Sequence, residues 1–550
     1  MDITDNSLYS YYRLKTDALG DYNAFQCGFR DHMRSEFLSD SDALASFFAE
    51  RAFLRNGDVY TICMPTAVEA MVAFFALNRL GAIVNFVHPQ LPPAALRELL
   101  VETSSHGIMM MDRAIGAYAD VLDGLKLPVM LCSAGTYSGA DKFAACREAS
   151  SALGVAVSGG VTWYAEALVE GAGRTPPANV AGGDDIAILL QGGGTTGKSR
   201  TIMHTNSNVT HFLELDNDWV HAAAHPGIDT ALNCMPLFHV FGLYSTALQP
   251  MCRALKTVFI PQFSAGEFIE LMKLNYVTML RGVPSMFAKL LDDPEWDGPH
   301  LRNLQHVIIG GDNFPPVLHG RIDYTLAKNG AKIKVAHGYG LTECCGGVML
   351  NPPHGRDDET IGRPFDGLRI EIWDENHRPL PDGKIGEIAV SGPTVMYGYL
   401  SSDRKRDVGV YRDDEGRRWV LTGDLGYRNG EFFYFSGRKK RLVIISGHNA
   451  YPLDIEKVVN AMPSVRESCA VQGFDAHGKV IIRLFVAPED GVTEGREELV
   501  ESILAECARR LERFSVPREV RFIREIPKTR VGKVDFMRLT ESSPGAKIMI

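Results

Sequence analysis

The sequence lacks the cysteine spacing that is typical of metal-binding or disulfide-stabilised proteins. Its ten cysteines are scattered over 550 residues, form no C-x-x-C pair and adjoin each other only at Cys344–Cys345. We therefore expect neither a zinc site nor a disulfide framework, but reduced thiols in a cytoplasmic protein. The first residues are polar and acidic, without the pattern of a signal peptide. The longest apolar run, Ala70–Leu77, is too short to span a bilayer.

Long basic blocks and low-complexity segments are also absent. The net charge is −10, so we expect no nucleic-acid partner. The apolar content of 45% is typical of a chain that folds throughout. A length of 550 residues exceeds what a single hydrophobic core supports, and at least two domains are therefore predicted.

One segment, Gly192–Ser199, joins three glycines to the run Thr-Thr-Gly-Lys-Ser. Glycines let backbone amides approach phosphate oxygens closely, and the hydroxyl and lysine side chains add further donors. The segment therefore indicates a binding site for a nucleoside triphosphate, although an isolated glycine-rich segment is more often an ordinary turn.

The same segment fits the Walker A pattern G-x-x-x-x-G-K-[ST] literally. A Walker A loop opens directly into a helix, whose N-terminus faces the phosphates. Here residues 200–205 follow, which include three β-branched residues and lack helical periodicity, and the next helix-like pattern begins near Ser207. The best match to a Walker B strand, Val307–Asp312, is interrupted by glycines. This context disfavours the Walker interpretation.

Helical and strand patterns alternate along much of the chain. Residues Thr66–Glu69 resemble a capping box ahead of an apolar helix over 70–77. This alternation predicts an α/β fold with parallel sheets covered by helices. The predicted strands are 59–64, 82–87, 186–190, 257–260, 277–283 and 306–310.

The pattern changes twice towards the C-terminus. Short strands and tight turns over 361–434 predict a small β subdomain. After Gly437–Arg441 a compact α+β pattern follows, with a helix near Leu453, strands and a second helix. We therefore predict a large N-terminal domain, 1–437, and a small C-terminal domain, 438–550.

From about Ser7 to Leu539 the chain resembles the adenylate-forming superfamily of acyl-CoA synthetases, adenylation domains and luciferases. The phosphate segment resembles S-G-T-T-G-K-P-K-G, and the other matches occur in the family's order and at plausible separations. These are residues 236–242, 337–343 (Q-G-Y-G-M-T-E), 386–387, 392–399, 421–424 (R-T-G-D), 437–456 and 526–533.

The resemblance implies that a carboxylate attacks the α-phosphorus of ATP and expels pyrophosphate. Because two anions repel, such a site concentrates positive charge and amide donors. Thr342 would bind the α-phosphate, Glu343 would bind Mg²⁺, and Lys533 would bridge carboxylate and phosphate. The residues implied to hold the β- and γ-phosphates are Gly194, Thr195, Thr196, Gly197 and Lys198.

The resemblance also implies how adenosine is bound. Tyr339 offers a face for adenine, Asp424 accepts hydrogen bonds from the ribose hydroxyls, and Arg438 donates to the ribose. The predicted neighbours of the adenine and acyl pockets are Gly311, Asp312 and Gly340.

The second half-reaction requires a thiol to reach the acyl-adenylate. By resemblance the small C-terminal domain is mobile and rotates after adenylation about a hinge at Lys440. Gly447 would then line the tunnel for the pantetheine arm of CoA, although a turn glycine is an equally good interpretation.

The sequence indicates the class of the carboxylic acid substrate but not its identity. His239 stands in the acyl-pocket motif where amino-acid-activating relatives place an aspartate, which argues against amino acids. Residues 445–452 are close to the S-G-F-N-V-Y-P of fatty-acyl-CoA synthetases, and no carrier-protein module follows residue 539. We therefore predict an acid–CoA ligase for a fatty or aryl acid that uses ATP, Mg²⁺ and CoA.

Two alternatives stay open: an acyl-AMP ligase that supplies a separate carrier protein, and a binding homologue with reduced catalysis. The second follows from departures from the family pattern. Gly192 and Gly193 replace hydroxyl residues, Ser199 replaces a proline, and Arg200–Thr201 replace Lys-Gly. Asp312–Asn313 replaces the common Ala-Pro. A homodimer is compatible with the sequence.

Overall fold

The structure is a computed structural model that divides into two compact units. The first unit comprises residues 1–369 and 390–420, and the second comprises residues 370–389 and 421–550. The described residues are 6–52, 54–133, 136–139, 157–192, 200–215, 225–312, 314–352, 359–445, 448–475, 478–489, 495–528 and 534–540.

A nine-stranded sheet forms one layer of the first unit. Its inner strands are parallel, as the alternating pattern predicts, and antiparallel strands lie at both edges. In spatial order the strands are Arg363–Pro364, Gly346–Asn351, Ala336–Leu341, His306–Gly310, Val277–Gly282, Thr230–Asn233, Lys256–Phe259, Asn23–Cys27 and Arg30–Met33.

An eight-stranded sheet forms a second layer of the same unit. Six strands are parallel, and the two at one edge are antiparallel. The order is Gly398–Tyr399, Thr201–Thr205, Ile186–Gln191, Ile83–Phe86, Val59–Cys63, Ser105–Met111, Val129–Cys132 and Val161–Trp163. All six predicted strands of the two sheets are confirmed.

Helices cover these sheets. Among the described residues the α-helices are Leu8–Thr16, Arg34–Glu50, Val68–Arg79, Pro93–Glu102, Ile115–Leu125, Tyr164–Gly171, Asn206–Glu214, Gln249–Cys252, Ala265–Leu274, Pro284–Leu291 and Pro316–Lys328. A π-helix, Phe241–Leu248, and short 3₁₀ turns complete the set. No helix in the described part of the chain combines the length and apolarity needed to cross a membrane.

The helix Val68–Arg79 is the central helix of the core. Residues 68–78 are all buried, and the Phe75 ring lies 5.1 Å from Tyr12 and 5.5 Å from Phe37. The predicted capping box is wrong. The hydroxyl of Thr66 donates to the carbonyl of Met235 at 2.8 Å instead, and the N-cap residue Ala67 has no side-chain acceptor. Burial of an apolar helix therefore replaces local capping here.

The second unit contains a β part and an α+β part. The strand Arg418–Asn429 begins in the first unit, where it pairs with Tyr411–Arg412, and continues into the second. There it pairs with Phe432–Arg438 across the predicted turn at Gly430, whose φ is +63°. The remaining strands of this part are Arg369–Trp373 and Gly386–Ser391.

The α+β part has a three-stranded sheet covered by helices. The helical spacing of Leu499, Ile503, Cys507 and Leu511 predicts one buried face; the first three form it and pack in one core with the sheet, whereas Leu511 is the C-cap residue and packs against the edge of that core. The sheet consists of Val465–Phe474, Val480–Pro488 and Glu519–Phe522, and Val443–Ile445 pairs with His448–Ala450 in a separate two-stranded sheet. The α-helices are Pro452–Asn460, Arg496–Arg510 and Phe536–Thr540.

Candidate active site

The phosphate segment lies between two antiparallel strands of the eight-stranded sheet. Gly192 follows the strand Ile186–Gln191, and its N–H donates to the carbonyl of Arg200 at 2.8 Å, which closes the base of the segment. The strand Thr201–Thr205 comes next, and the helix starts only at Asn206. A Walker A loop requires the helix at once, so the structure contradicts that alternative.

Thr342 and Glu343 lie on a 3₁₀ turn that follows the strand Ala336–Leu341. The half-buried Glu343 accepts a hydrogen bond at Oε1 from the Tyr399 hydroxyl at 3.0 Å. Its backbone carbonyl accepts a second one from the Met396 N–H at 2.8 Å. The chain segment 396–399 therefore fixes both the backbone and the carboxylate of Glu343.

The same segment joins the strand that leaves the phosphate segment. Gly398 and Tyr399 pair with Met203 and Ile202, and the guanidinium carbon of Arg200 lies 4.9 Å from the centre of the Tyr399 ring. Tyr399 therefore contacts both Glu343, in the matched segment 337–343, and Arg200, which directly follows the phosphate segment. Tyr399 stands within a matched block, but no motif assigned it a role.

The residues predicted beside adenine stand at the carboxyl ends of two neighbouring parallel strands. Gly310 pairs with Gly338, and a Cβ at Gly310 would lie 2.8 Å from the Gly338 carbonyl oxygen, so the backbones approach closely here. Gly311, with φ of +84°, and the exposed Asp312 follow one strand, and Tyr339 and Gly340 belong to the other. Ligands of α/β folds bind at this edge of a sheet.

His239 precedes the π-helix Phe241–Leu248. Its Nδ1 accepts a hydrogen bond from the Phe241 N–H at 3.2 Å, which favours the tautomer with the proton on Nε2. A Cβ at Gly242 would lie 2.0 Å from the carbonyl oxygen of Pro236, so only glycine fits at this point of the helix. π-Helical turns often occur at functional sites.

Within the second unit, Asp424 and Arg438 face each other on neighbouring strands. Arg438 Nε lies 3.0 Å from Asp424 Oδ1. The side chain of Asp424 is 4% exposed, whereas that of Arg438 is 44% exposed. The hydroxyl of Thr422 accepts from the Asp424 N–H at 3.1 Å and donates to the Ile388 carbonyl at 2.8 Å. Asp424 is thus a fixed carboxylate beside a cation.

Glu387 is a further organising residue that sequence analysis missed, although it belongs to the matched pair 386–387. Its Oε1 accepts from the Gly423 N–H at 2.9 Å, and its Oε2 accepts from Lys439 Nζ at 2.8 Å. Gly423 has a φ of +70°, which favours glycine. Glu387 therefore binds both Gly423, which precedes Asp424, and Lys439, which precedes the predicted hinge residue Lys440.

Arg441 follows the predicted hinge residue Lys440. Its guanidinium pairs with Glu456, whose Oε1 also accepts from the Ala470 N–H at 2.8 Å. Burial raises the pKa of Glu456, and the charge of Arg441 opposes this shift. Lys440 lies between two residues whose side chains are both held by carboxylates.

The remaining predicted site residues lie outside the described residues. They are Gly194, Thr195, Thr196, Gly197, Lys198, Gly447 and Lys533.

Comparisons with known proteins find relatives over most of the chain. Residues 16–400 match the family described as AMP-binding enzyme, and residues 454–533 match the AMP-binding enzyme C-terminal domain. A long-chain-fatty-acid–CoA ligase of Escherichia coli O6:H1 is 28% identical over 529 residues, covering 92% of this chain and 89% of that protein. A sulfoacetate–CoA ligase of Cupriavidus necator is 29% identical over 509 residues, covering 91% and 90%.

Among solved structures, ATP-bound MatB from Rhodopseudomonas palustris has a similar fold, with a TM-score of 0.78 at 22% identity over 98% of both chains. Because the family match runs from residue 16 to residue 400 and takes in the phosphate segment and the turn of Glu343, the chain belongs to the AMP-binding enzyme family, the adenylate-forming superfamily that its motifs resemble.

Proposed function

We propose that the chain is an ATP-dependent carboxylic acid–CoA ligase for a fatty or aryl acid. A carboxylate oxygen attacks the α-phosphorus of ATP, the bond to the β-phosphate breaks, and acyl-AMP and pyrophosphate form. The thiol of CoA then attacks the acyl carbon, loses its proton and releases AMP. Gly192, the first residue of the phosphate segment, lies close to Glu343, and Arg200, which follows the segment, contacts Tyr399, the donor to Glu343. These contacts carry the proposal, and the CoA ligases among the relatives support it.

Glu343 fits a Mg²⁺ ion that is held mainly by substrate. Protein-bound Mg²⁺ commonly takes one or two carboxylates together with phosphate oxygens. Glu343 offers one fixed carboxylate, and the described residues contain no cluster of three metal-ligating side chains that would form an all-protein site. When bound, the cation would neutralise charge on the phosphates, while Thr342 donates to the α-phosphate.

The other roles follow the family pattern. Asp424 accepts from the ribose hydroxyls with Arg438 beside it, and Lys533 bridges carboxylate and phosphate in the first half-reaction. His239 belongs to the acyl pocket, and Gly447 to the path of the thiol. The residues assigned to phosphates are Gly194, Thr195, Thr196, Gly197 and Lys198, and those assigned to adenine are Gly311, Asp312, Tyr339 and Gly340.

The two half-reactions require a domain change, which we assign to rotation of residues 438–550 against 1–437 about Lys440. The held side chains of Lys439 and Arg441 support a pivot at this residue. A cytoplasmic location and a homodimer remain part of the proposal and are tested by fractionation and sedimentation.

A panel of fatty and aryl acids tests the function, with pyrophosphate and acyl-CoA measured separately. An acid-dependent release of pyrophosphate together with acyl-CoA, with free CoA as the sole acceptor, is the expected result. Pyrophosphate release without acyl-CoA would instead favour the acyl-AMP ligase that serves a carrier protein. Release of neither product with any acid would favour the catalytically reduced homologue.

A further inference from the structure

The Glu343 carboxylate is oriented by a residue that lies outside the 3₁₀ turn Thr342–Cys344, namely Tyr399. Its Oε1 accepts from the Tyr399 hydroxyl, and no residue in the described part of the chain is recorded as donating to Oε2. A carboxylate with one oxygen occupied presents the other to a cation. An unrestrained glutamate, by contrast, must lose side-chain rotamer freedom when it binds.

Tyr399 is itself held on its ring. The guanidinium of Arg200 lies 4.9 Å from the ring centre, in the range of a cation–π contact. Gly409, with φ of +80°, packs against the same ring, because a Cβ there would lie 2.3 Å from Cδ2 and Cε2. The ring position is therefore set by a residue beside the phosphate segment and by a glycine that nothing larger can replace.

The backbone around Tyr399 is equally constrained. The Leu400 N–H donates to the Thr201 carbonyl at 2.8 Å, and the Tyr399 N–H donates to the Val408 carbonyl at 2.8 Å. Burial, and then the neighbouring Glu343, raise the pKa of Tyr399. The hydroxyl therefore keeps its proton at neutral pH and stays a donor to Glu343.

Two departures of this chain from the family pattern, Gly192 and Arg200, lie beside the contact between Tyr399 and Glu343. A Cβ at Gly192 would lie 3.8 Å from Glu343 Oε1, so the hydroxyl residue that relatives carry there would adjoin this carboxylate. Here glycine stands at 192, and arginine replaces lysine at 200. Arginine has a planar guanidinium that stacks on an aromatic face better than an ammonium group does.

We propose that Tyr399 and Arg200 are positioning residues for Glu343: Arg200 holds the Tyr399 ring, and the Tyr399 hydroxyl occupies Oε1 so that Oε2 receives the cation bound to ATP. This proposal rests on the proposed function of Glu343 as a cation ligand.

Binding of Mn²⁺ tests the proposal without turnover. The full-length protein is mixed with the analogue α,β-methylene-ATP, which cannot release pyrophosphate, and free Mn²⁺ is measured by electron paramagnetic resonance. Tyr399→Phe keeps the ring and removes the hydroxyl, so we expect about tenfold weaker Mn²⁺ binding, the effect of losing one hydrogen bond to a charged group. Arg200→Met should weaken binding less, and Arg200→Lys least.

Tyr397→Phe is the matched control. Tyr397 lies two residues away and has its own cation, with the guanidinium carbon of Arg406 5.5 Å from its ring, but it has no recorded contact with Glu343. Its Mn²⁺ affinity should equal that of the wild type. In turnover, high Mg²⁺ should restore the rate of Tyr399→Phe, which a general folding defect would not allow.

Glu343→Gln separates the two levels of the proposal. Loss of Mn²⁺ affinity in Glu343→Gln with wild-type affinity in Tyr399→Phe overturns the positioning role alone. Unchanged affinity in Glu343→Gln overturns the cation role of Glu343 and, with it, this proposal. If Tyr399→Phe does not fold, the exposed Arg200 decides the matter, because wild-type affinity in Arg200→Met then contradicts the proposal.

Discussion

The carboxylate of Asp424 and the guanidinium of Arg438 form an ion pair, 3.0 Å from Oδ1 to Nε, on neighbouring strands of the second unit. Because Asp424 is nearly buried and Arg438 is half exposed, the carboxylate is fixed while the cation can adjust to a ligand. This asymmetry suits a residue that receives the two ribose hydroxyls of ATP.

Asp424→Ala should therefore weaken ATP binding at least tenfold and leave the affinity for the acid unchanged. Two charge-assisted hydrogen bonds are lost, together about 3 kcal/mol. Equilibrium binding of ATP and of the acid, each measured calorimetrically, checks this. Asp382→Ala is the control, since Asp382 pairs with Arg428 at the surface of the same unit. Wild-type ATP affinity in Asp424→Ala would show that the ribose assignment is wrong.

Lys440→Pro tests the hinge. Lys439 is held by Glu387 and Arg441 by Glu456, so a rotation between these two ion pairs, as proposed above, would be concentrated at Lys440. Proline fixes φ near −65° and removes the N–H, which should leave pyrophosphate release nearly intact and slow acyl-CoA formation sharply.

Lys440→Ala is the matched control for this prediction, because it removes the same side chain without restricting φ. It should retain both half-reactions. The two products are measured separately on one preparation. Parallel loss of both activities in Lys440→Pro, or loss of neither, would remove Lys440 from the mechanism.

Lys533→Ala should abolish formation of acyl-AMP while transfer from preformed acyl-AMP to CoA survives. The interaction is made chiefly in the transition state of adenylation, so kcat should fall more than KM rises. Lys528→Ala, which removes a lysine paired with Glu467 instead, should behave as the wild type. Equal loss in both half-reactions would contradict a lysine that serves only the first.

Much of the fold was predictable because its signals are local. The strands near residues 59, 186 and 277 are short apolar runs bounded by turn residues, and the face of Leu499, Ile503 and Cys507 shows helical spacing. The capping box at Thr66 failed because the helix begins at Val68 with Ala67 as its N-cap, so Thr66 stands one residue too early, and its hydroxyl donates to the carbonyl of Met235, which is remote in sequence.

The site was predictable only residue by residue. Motif resemblance pointed to Glu343 and Asp424, but not to the residues that hold them. Tyr399 donates to Glu343 across 56 residues of sequence, and Glu387 accepts from Gly423, the neighbour of Asp424, across 36 residues. Such contacts depend on strand pairing across the chain, and no spacing rule in one sequence encodes them. The sequence showed Arg200 only as a departure from the family pattern and gave no sign of its contact with the Tyr399 ring.

His204 makes stability dependent on pH. It is fully buried on the strand after the phosphate segment, with Nδ1 2.8 Å from the Tyr244 hydroxyl, and burial lowers its pKa to about 4. An unfolded histidine has a pKa of about 6.5. Above pH 6.5 the imidazole is neutral in both the folded and the unfolded protein, and its contribution to the free energy of unfolding is fully present. As the pH falls from about 6.5 to about 4, only the unfolded protein gains a proton at this histidine. The free energy of unfolding therefore decreases by up to about 3 kcal/mol.

We therefore expect the thermal midpoint of the wild type to fall between pH 6.5 and pH 4.5 more steeply than that of His204→Gln. The glutamine variant can be less stable at every pH, but it lacks this titration, so the difference between the two midpoints should narrow as the pH falls. A constant difference between wild type and His204→Gln across this range would show that the buried imidazole does not titrate with unfolding.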